Sequence, residues 1–165
     1  KSSNDLAALR ARAWVLQRLN AEQAESAFRE LLKQSNDIED MLAFGMFAYR
    51  QQQYEQAKLL FEEVLERRRR AAAAPQATLP ASTNNQFRIE KRNIPNEEIF
   101  RYLGDCAWHL EDYAAMLQWY TRLLQVNPND LPALQNLLIA AQARGRFDYA
   151  ELIKKKLEQI TNNQE

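Results

Sequence analysis

The sequence predicts an all-α protein built as a stack of antiparallel helix pairs, and three observations carry this prediction. Glycine and proline, which break helices, supply only three and five of the 165 residues. Apolar residues recur at three- and four-residue spacing along segments of about 14 residues, which is typical of amphipathic helices. Residues 44–65 and 103–124 repeat one pattern: a glycine, a tyrosine nine residues later and an aromatic residue seven further on. Such repeats stack on one another and present an extended surface.

The repeat extends in both directions from these two copies. Phe147 follows Tyr113 by 34 residues, and Ala24 precedes Ala57 by 33. We therefore predict one domain over residues 1–165, with four units at about 5–37, 38–66, 97–130 and 131–161. The predicted helices span about 5–18, 21–34, 38–51, 54–72, 96–110, 113–126, 130–143 and 147–161. Connectors of two to four residues make neighbouring helices antiparallel.

One segment interrupts the period. Tyr54 and Tyr113 lie 59 residues apart, 25 more than the repeat, which predicts a loop insertion at 67–95. The arginine and alanine run can extend the preceding helix to about Ala74, before Pro75. Three apolar residues, Phe87, Ile89 and Ile94, are expected to anchor its end.

The insertion is basic, whereas the whole chain has a net charge of zero. Its seven basic residues oppose a single glutamate: Arg67, Arg68, Arg69, Arg70, Arg88, Lys91 and Arg92. One interpretation is contact with an acidic partner, a phosphate backbone or lipid headgroups. The favoured alternative is a solvated helix end, where arginines interact with the helix dipole. No aromatic residue is interleaved with the arginines, which argues against nucleic acid.

The two central units carry a recognisable motif. Its positions in residues 99–130 are Phe100, Leu103-Gly104, Ala107-Trp108, Asp112-Tyr113, Tyr120, Leu123-Leu124 and Asn127-Pro128, and residues 38–65 match through Phe44-Gly45, Tyr49, Tyr54, Ala57 and Phe61. This motif resembles the tetratricopeptide repeat family. The resemblance implies a right-handed superhelical solenoid that binds proteins, with the first helix of each unit lining a concave groove. The sequence departs from the motif at Arg12, in place of the glycine, and at Lys154, in place of the aromatic residue.

The resemblance assigns ten residues to the groove. They are Met46, Tyr49, Arg50, Arg101, Asp105, Trp108, His109, Gln135, Ile139 and Gln142. Tryptophan, tyrosine and arginine dominate binding hot spots, so we expect a peptide or protein partner in the groove, of unknown identity. The alternative for Tyr49 and Trp108 is ordinary packing against a neighbouring unit. A second functional alternative is self-assembly into a homo-oligomer.

Glycines inside helices cost about 1 kcal/mol relative to alanine, so Gly45 and Gly104 suggest a close approach of the second helix in their unit. We expect Ala57 to be the small residue that Gly45 faces. Gly145 differs, since it lies in a turn and is expected to have a positive φ angle.

The sequence contains few residues in arrangements that are typical of catalytic sites. The single cysteine and single histidine, Cys106 and His109, lie three residues apart, but no further histidine or cysteine completes a metal site. Three widely spaced glycines cannot form a phosphate-binding loop. We therefore expect no enzyme, no metal and no cofactor. No signal peptide is visible in this sequence and no apolar run reaches about 18 residues, so we expect a soluble protein without a membrane span, in an unspecified compartment.

Overall fold

The computed structural model describes residues 3–19, 21–73 and 94–162. Within them are eight α-helices and no strand: α1 (Ser3–Leu19), α2 (Ala21–Gln34), α3 (Ile38–Arg50), α4 (Tyr54–Ala73), α5 (Asn96–His109), α6 (Tyr113–Val126), α7 (Leu131–Ala143) and α8 (Phe147–Asn162). Each predicted helix is confirmed, with ends within two residues of the prediction. No helix in this part of the chain combines the length and the apolarity that crossing a membrane requires.

The helices pack as four successive pairs, α1/α2, α3/α4, α5/α6 and α7/α8. The second helix of each pair also packs on the first helix of the next pair, so the described chain is an α-solenoid. Its core runs through all four pairs. Between the first two pairs, Phe28 of α2 stacks on Phe44 of α3 at 5.3 Å between ring centroids.

Short polar residues fix where several helices begin. Asp37, Asp112 and Asp130 are the N-caps of α3, α6 and α7, and each carboxylate accepts a backbone N–H of the first turn. Asp130 belongs to the turn that connects α6 to α7.

The steric role of the helix glycines is confirmed, but the expected neighbour is wrong. A Cβ atom on Gly45 would stand 2.9 Å from Cε1 of Phe61, and one on Gly104 would stand 2.6 Å from Cζ of Tyr120. The nearest group is therefore an aromatic ring of the second helix and not Ala57. The ring fills the space that the missing side chain leaves, so glycine and aromatic residue form one packing unit.

The turns inside the last three pairs share a left-handed residue. Gly145 has φ +68°, as predicted, and Gln52 and Glu111 have φ values of 60° and 54° at the equivalent turns. The latter two are not glycines, so their conformation carries steric strain. This similarity is not visible in the sequence, because each of these three turns has a different residue at the left-handed position.

Candidate partner-binding groove

The residues predicted for the groove lie on α3, α5 and α7, the first helices of the last three pairs. The structure divides them by exposure. Exposed are Arg50, Trp108, His109, Gln135, Ile139 and Gln142, whereas Met46, Tyr49, Arg101 and Asp105 are half-buried. The first group is open to solvent, although Arg50 and His109 also make contacts within the chain, and the second group contributes mainly to such contacts.

Two large apolar side chains stand out in the exposed group. Trp108 on α5 is 42% exposed and Ile139 on α7 is 39% exposed. Gln135 and Gln142 lie on the same helix as Ile139, one turn to either side of it. An apolar surface with flanking amides can bind an apolar side chain and also hydrogen-bond a peptide backbone.

Tyr49 packs against the neighbouring helix pair, which is the alternative to partner binding given above for this residue. Its ring meets Tyr102 of the next pair edge-on at 5.0 Å, and its hydroxyl lies 3.4 Å from Oδ2 of Asp105. Burial raises the pKa of Tyr49 to about 12, and the negative charge of Asp105 adds to this effect. Tyr102 is not among the predicted groove residues. It stacks on Phe61 at 5.3 Å and connects Tyr49 to the core.

Asp105 is held by two hydroxyl groups instead of being free for a partner. Besides Tyr49, the Tyr120 hydroxyl donates to Oδ1 of Asp105 at 2.8 Å. The same Tyr120 oxygen accepts a hydrogen bond from Nδ2 of Asn136 on α7 at 2.9 Å. Burial raises the pKa of Tyr120, and so does the nearby Asp105 carboxylate.

The two predicted groove arginines also have partners inside the chain. Both terminal nitrogens of Arg101 bind the nearly buried carboxylate of Asp130, the N-cap of α7. The hydrogen bond from Arg101 holds the pKa of Asp130 below its usual range. Arg50 donates to Oε1 of Gln17 on α1 at 2.7 Å. Each arginine thus links the first helix of one pair to the first helix of another.

A similar ion pair joins the first two pairs and was not predicted from the sequence. Arg10 of α1 binds Asp37 and Asp40 at the start of α3, and Ser35 also donates to Asp40. Asp40 and Ser35 are buried. Arg10 and Arg101 share one arrangement that could have signalled these ion pairs, since each lies on a first helix 27 to 30 residues before an aspartate at the start of the next first helix.

The single cysteine and the single histidine lie in different environments, one buried and one exposed. Cys106 is fully buried in the core, and burial raises the pKa of its thiol to about 12. His109 is exposed at the end of α5 and stacks face to face on Tyr54 at 4.0 Å. Across the described ranges no cluster of three histidine, cysteine, aspartate or glutamate side chains could hold a metal ion.

The four arginines at the start of the basic segment lie on α4 and make contacts inside the chain. Arg67 pairs with Glu63, while Arg69 and Arg70 share Glu66, each pair at 2.7 or 2.8 Å. The hydrogen bond from Arg69, with that from Arg70, lowers the pKa of Glu66 to about 2.

Arg68 connects the two ends of the insertion. It donates to the carbonyl oxygen of Ile94 and to Oδ1 of Asn96, both at 2.8 Å. Ile94 is buried in the core, which confirms it as an anchor of the segment. The other predicted members, Phe87, Arg88, Ile89, Lys91 and Arg92, lie outside the described residues.

Comparison with known proteins supports the fold. The profile of the tetratricopeptide repeat family matches residues 103–130. No curated protein sequence matches the chain. Among similar solved structures is MamA, residues 41 to the end, from Desulfovibrio magneticus RS-1, with a TM-score of 0.64 and 16% identity, covering 97% of this chain and 77% of that one.

A second similar structure is PilF from Pseudomonas aeruginosa. Its TM-score is 0.56 at 17% identity, and the match covers 93% of this chain and 60% of PilF. At these identities the likeness concerns the fold alone. The α5/α6 pair thus matches a tetratricopeptide repeat, and the chain resembles the tetratricopeptide repeat family in its sequence motif and in its solenoid fold.

Proposed function

We propose that the chain is a non-enzymatic module that binds a peptide or protein partner in the groove along α3, α5 and α7. The observation that carries the proposal is the exposure of Trp108 and Ile139. On the same two helices Leu103 and Leu137 are buried in the core and at most 1% exposed. Trp108 and Ile139 therefore contribute little to the core, and a binding role accounts for their apolar character.

The surroundings of these two residues suit binding. Tyr49, Arg101 and Asp105 are fixed by contacts inside the chain, so the floor of the groove is already ordered before a partner arrives. Little conformational entropy is then lost in the protein on binding. Arg50 and His109 are exposed and can add polar contacts.

The proposal is tested by selecting binders from a random peptide display library against the intact chain. A selected peptide should bind Trp108→Ala at least about tenfold more weakly than wild type, because truncating a hot-spot residue costs about 2 kcal/mol or more. Calorimetry measures the affinity, and thermal unfolding verifies that the variant is folded.

Leu152→Ala is the matched control, since Leu152 is an exposed apolar residue on α8, outside the groove helices. Its affinity for the peptide should equal that of wild type. Peptides that bind Trp108→Ala as well as wild type, or that lose affinity equally in both variants, would contradict groove binding.

Self-association is a second candidate, favoured by exposed apolar residues on the first and last helices. Val15 and Leu19 on α1, and Phe147 and Leu152 on α8, are each more than half exposed. Light scattering should show a mass above the 19.3 kDa of one chain that rises with concentration and falls in Phe147→Ser. A constant monomer mass would remove this candidate.

Association through the basic segment has less support. The four arginines of α4 already contact carboxylates, a carbonyl group or an asparagine of the chain itself.

A further inference from the structure

A chain of hydrogen bonds crosses three of the four helix pairs. It runs from the Tyr49 hydroxyl on α3 to the Asp105 carboxylate on α5, then through the Tyr120 hydroxyl on α6 to the Asn136 amide on α7. The three donor–acceptor distances are 3.4, 2.8 and 2.9 Å. Asp105 is the central member, because one oxygen accepts from the second pair and the other from the third.

Packing holds the two tyrosines of this chain in place. The ring of Tyr120 is buried against Gly104, where even a Cβ atom would collide with it. Tyr49 is fixed by edge-on contacts with Tyr54 and Tyr102. Neither hydroxyl group can therefore leave Asp105 unless its packed ring also moves.

We infer that Asp105 is a positioning residue that couples the groove surfaces of the second, third and fourth helix pairs through the Tyr49–Asp105–Tyr120–Asn136 hydrogen bonds. Its carboxylate acts on other residues of the groove and not directly on a partner. In a simple solenoid each repeat interacts only with its neighbours, so substitutions in the second and fourth pairs should have independent effects. Shared hydrogen bonds polarise one another and depend on common geometry, which makes such substitutions interdependent.

The consequence for binding rests on the proposed function. Trp108 lies on the same helix as Asp105, and Ile139 lies on the same helix as Asn136. The coupling therefore keeps the two exposed apolar residues in a fixed relation, and the groove acts as one surface instead of three separate ones.

A double-mutant cycle in the free protein tests the coupling. The variants are Tyr49→Phe, Asn136→Ala and the double variant, and urea unfolding measures the equilibrium constant of each. Independent sites give effects that multiply to within about twofold. We expect the double variant to depart from the product of the single effects by more than about threefold.

Tyr54→Phe combined with Asn136→Ala is the matched control. Tyr54 touches Tyr49, but its hydroxyl makes no hydrogen bond among the residues that the structure describes. This control cycle should be multiplicative. A multiplicative Tyr49/Asn136 cycle would overturn the inference, and it would leave the proposed function intact because no partner is present.

A second measurement covers the case in which Asn136→Ala fails to fold. Amide hydrogen exchange of α7 should be at least about threefold faster in Tyr49→Phe than in wild type, and unchanged in Tyr54→Phe. Wild-type exchange of α7 in Tyr49→Phe would equally overturn the coupling.

Discussion

At the residue scale, the left-handed turns at Gln52 and Glu111 are positions where the chain carries strain. A non-glycine residue in this conformation costs about 1–2 kcal/mol, part of which glycine removes. We predict that Gln52→Gly and Glu111→Gly each raise the free energy of unfolding by about 0.5–1 kcal/mol. Urea unfolding measures the change. Gly145→Ala is the reverse control and should destabilise the protein, since Gly145 has φ +68°.

At the glycines inside helices, in contrast, glycine is the residue that fits and its replacement should destabilise the protein. Alanine at position 104 gains helix propensity of about 1 kcal/mol, but its Cβ would stand 2.6 Å from the buried ring of Tyr120. We predict that Gly104→Ala lowers the free energy of unfolding by about 1–3 kcal/mol, because the ring must shift. Gly45→Ala should cost less, since its nearest contact is 2.9 Å. If Gly104→Ala lowers the free energy of unfolding no more than Gly45→Ala does, the ring of Tyr120 moves aside easily and the prediction is wrong.

Single residues also show where prediction from sequence stops. The resemblance to the tetratricopeptide repeat family predicts Tyr49 and Asp105 as groove residues, because both lie on first helices. It cannot show that their polar atoms bind each other, since the partners are 56 positions apart and belong to different pairs. The expectation that Gly45 faces Ala57 was wrong because helix spacing alone does not show which side chain of α4 points at α3, and Phe61 fills that space.

At the element scale, the start of α7 joins helix capping to an ion pair. Asp130 caps α7 and also binds Arg101 of α5. Asparagine caps helices as well as aspartate but carries no charge, so Asp130→Asn removes only the ion pair. We predict a loss of about 1–2 kcal/mol at neutral pH, a value between those of exposed and buried pairs, because Arg101 is partly exposed.

The pH dependence of this contact has a definite sign. The folded-state pKa of Asp130 is lowered, so its contribution is complete above the ordinary aspartate pKa of about 4 and is lost as pH falls through the folded value. Urea unfolding from about pH 6 to pH 3 should give a shallower acid loss for Asp130→Asn than for wild type. The pKa of Asp112 is lowered as well, so some slope remains. Parallel curves would rule out the assigned role of Asp130.

The helices themselves were predictable because their signals are local. Apolar periodicity, the scarcity of glycine and the capping aspartates depend on neighbouring residues only, and they set the helix ends to within two residues. The ion pair of Arg10 with Asp40 was not predictable in this way, because it depends on how two pairs rotate against each other.

At the scale of the whole molecule, the repeat explains the stack, and the departures from it give each pair its own surface. The fourth pair has Leu138 and Lys154 at the positions of the glycine and its aromatic partner. Lys154 is exposed and pairs with Glu151 at 2.9 Å, so this face of α8 is charged where the preceding pairs are aromatic. The apolar exposure near the groove is instead concentrated at Trp108 and Ile139.

The central claim is that partners bind along the first helices of the stack. The most direct test is a titration of isotope-labelled protein with a peptide from the display selection, followed by NMR of the backbone amides. The account predicts that shifts concentrate on α5 and α7 around Trp108 and Ile139, extend to α3, and leave the outer faces of α4, α6 and α8 unchanged. Shifts concentrated on α4 or α8, with the groove helices unaffected, would contradict it.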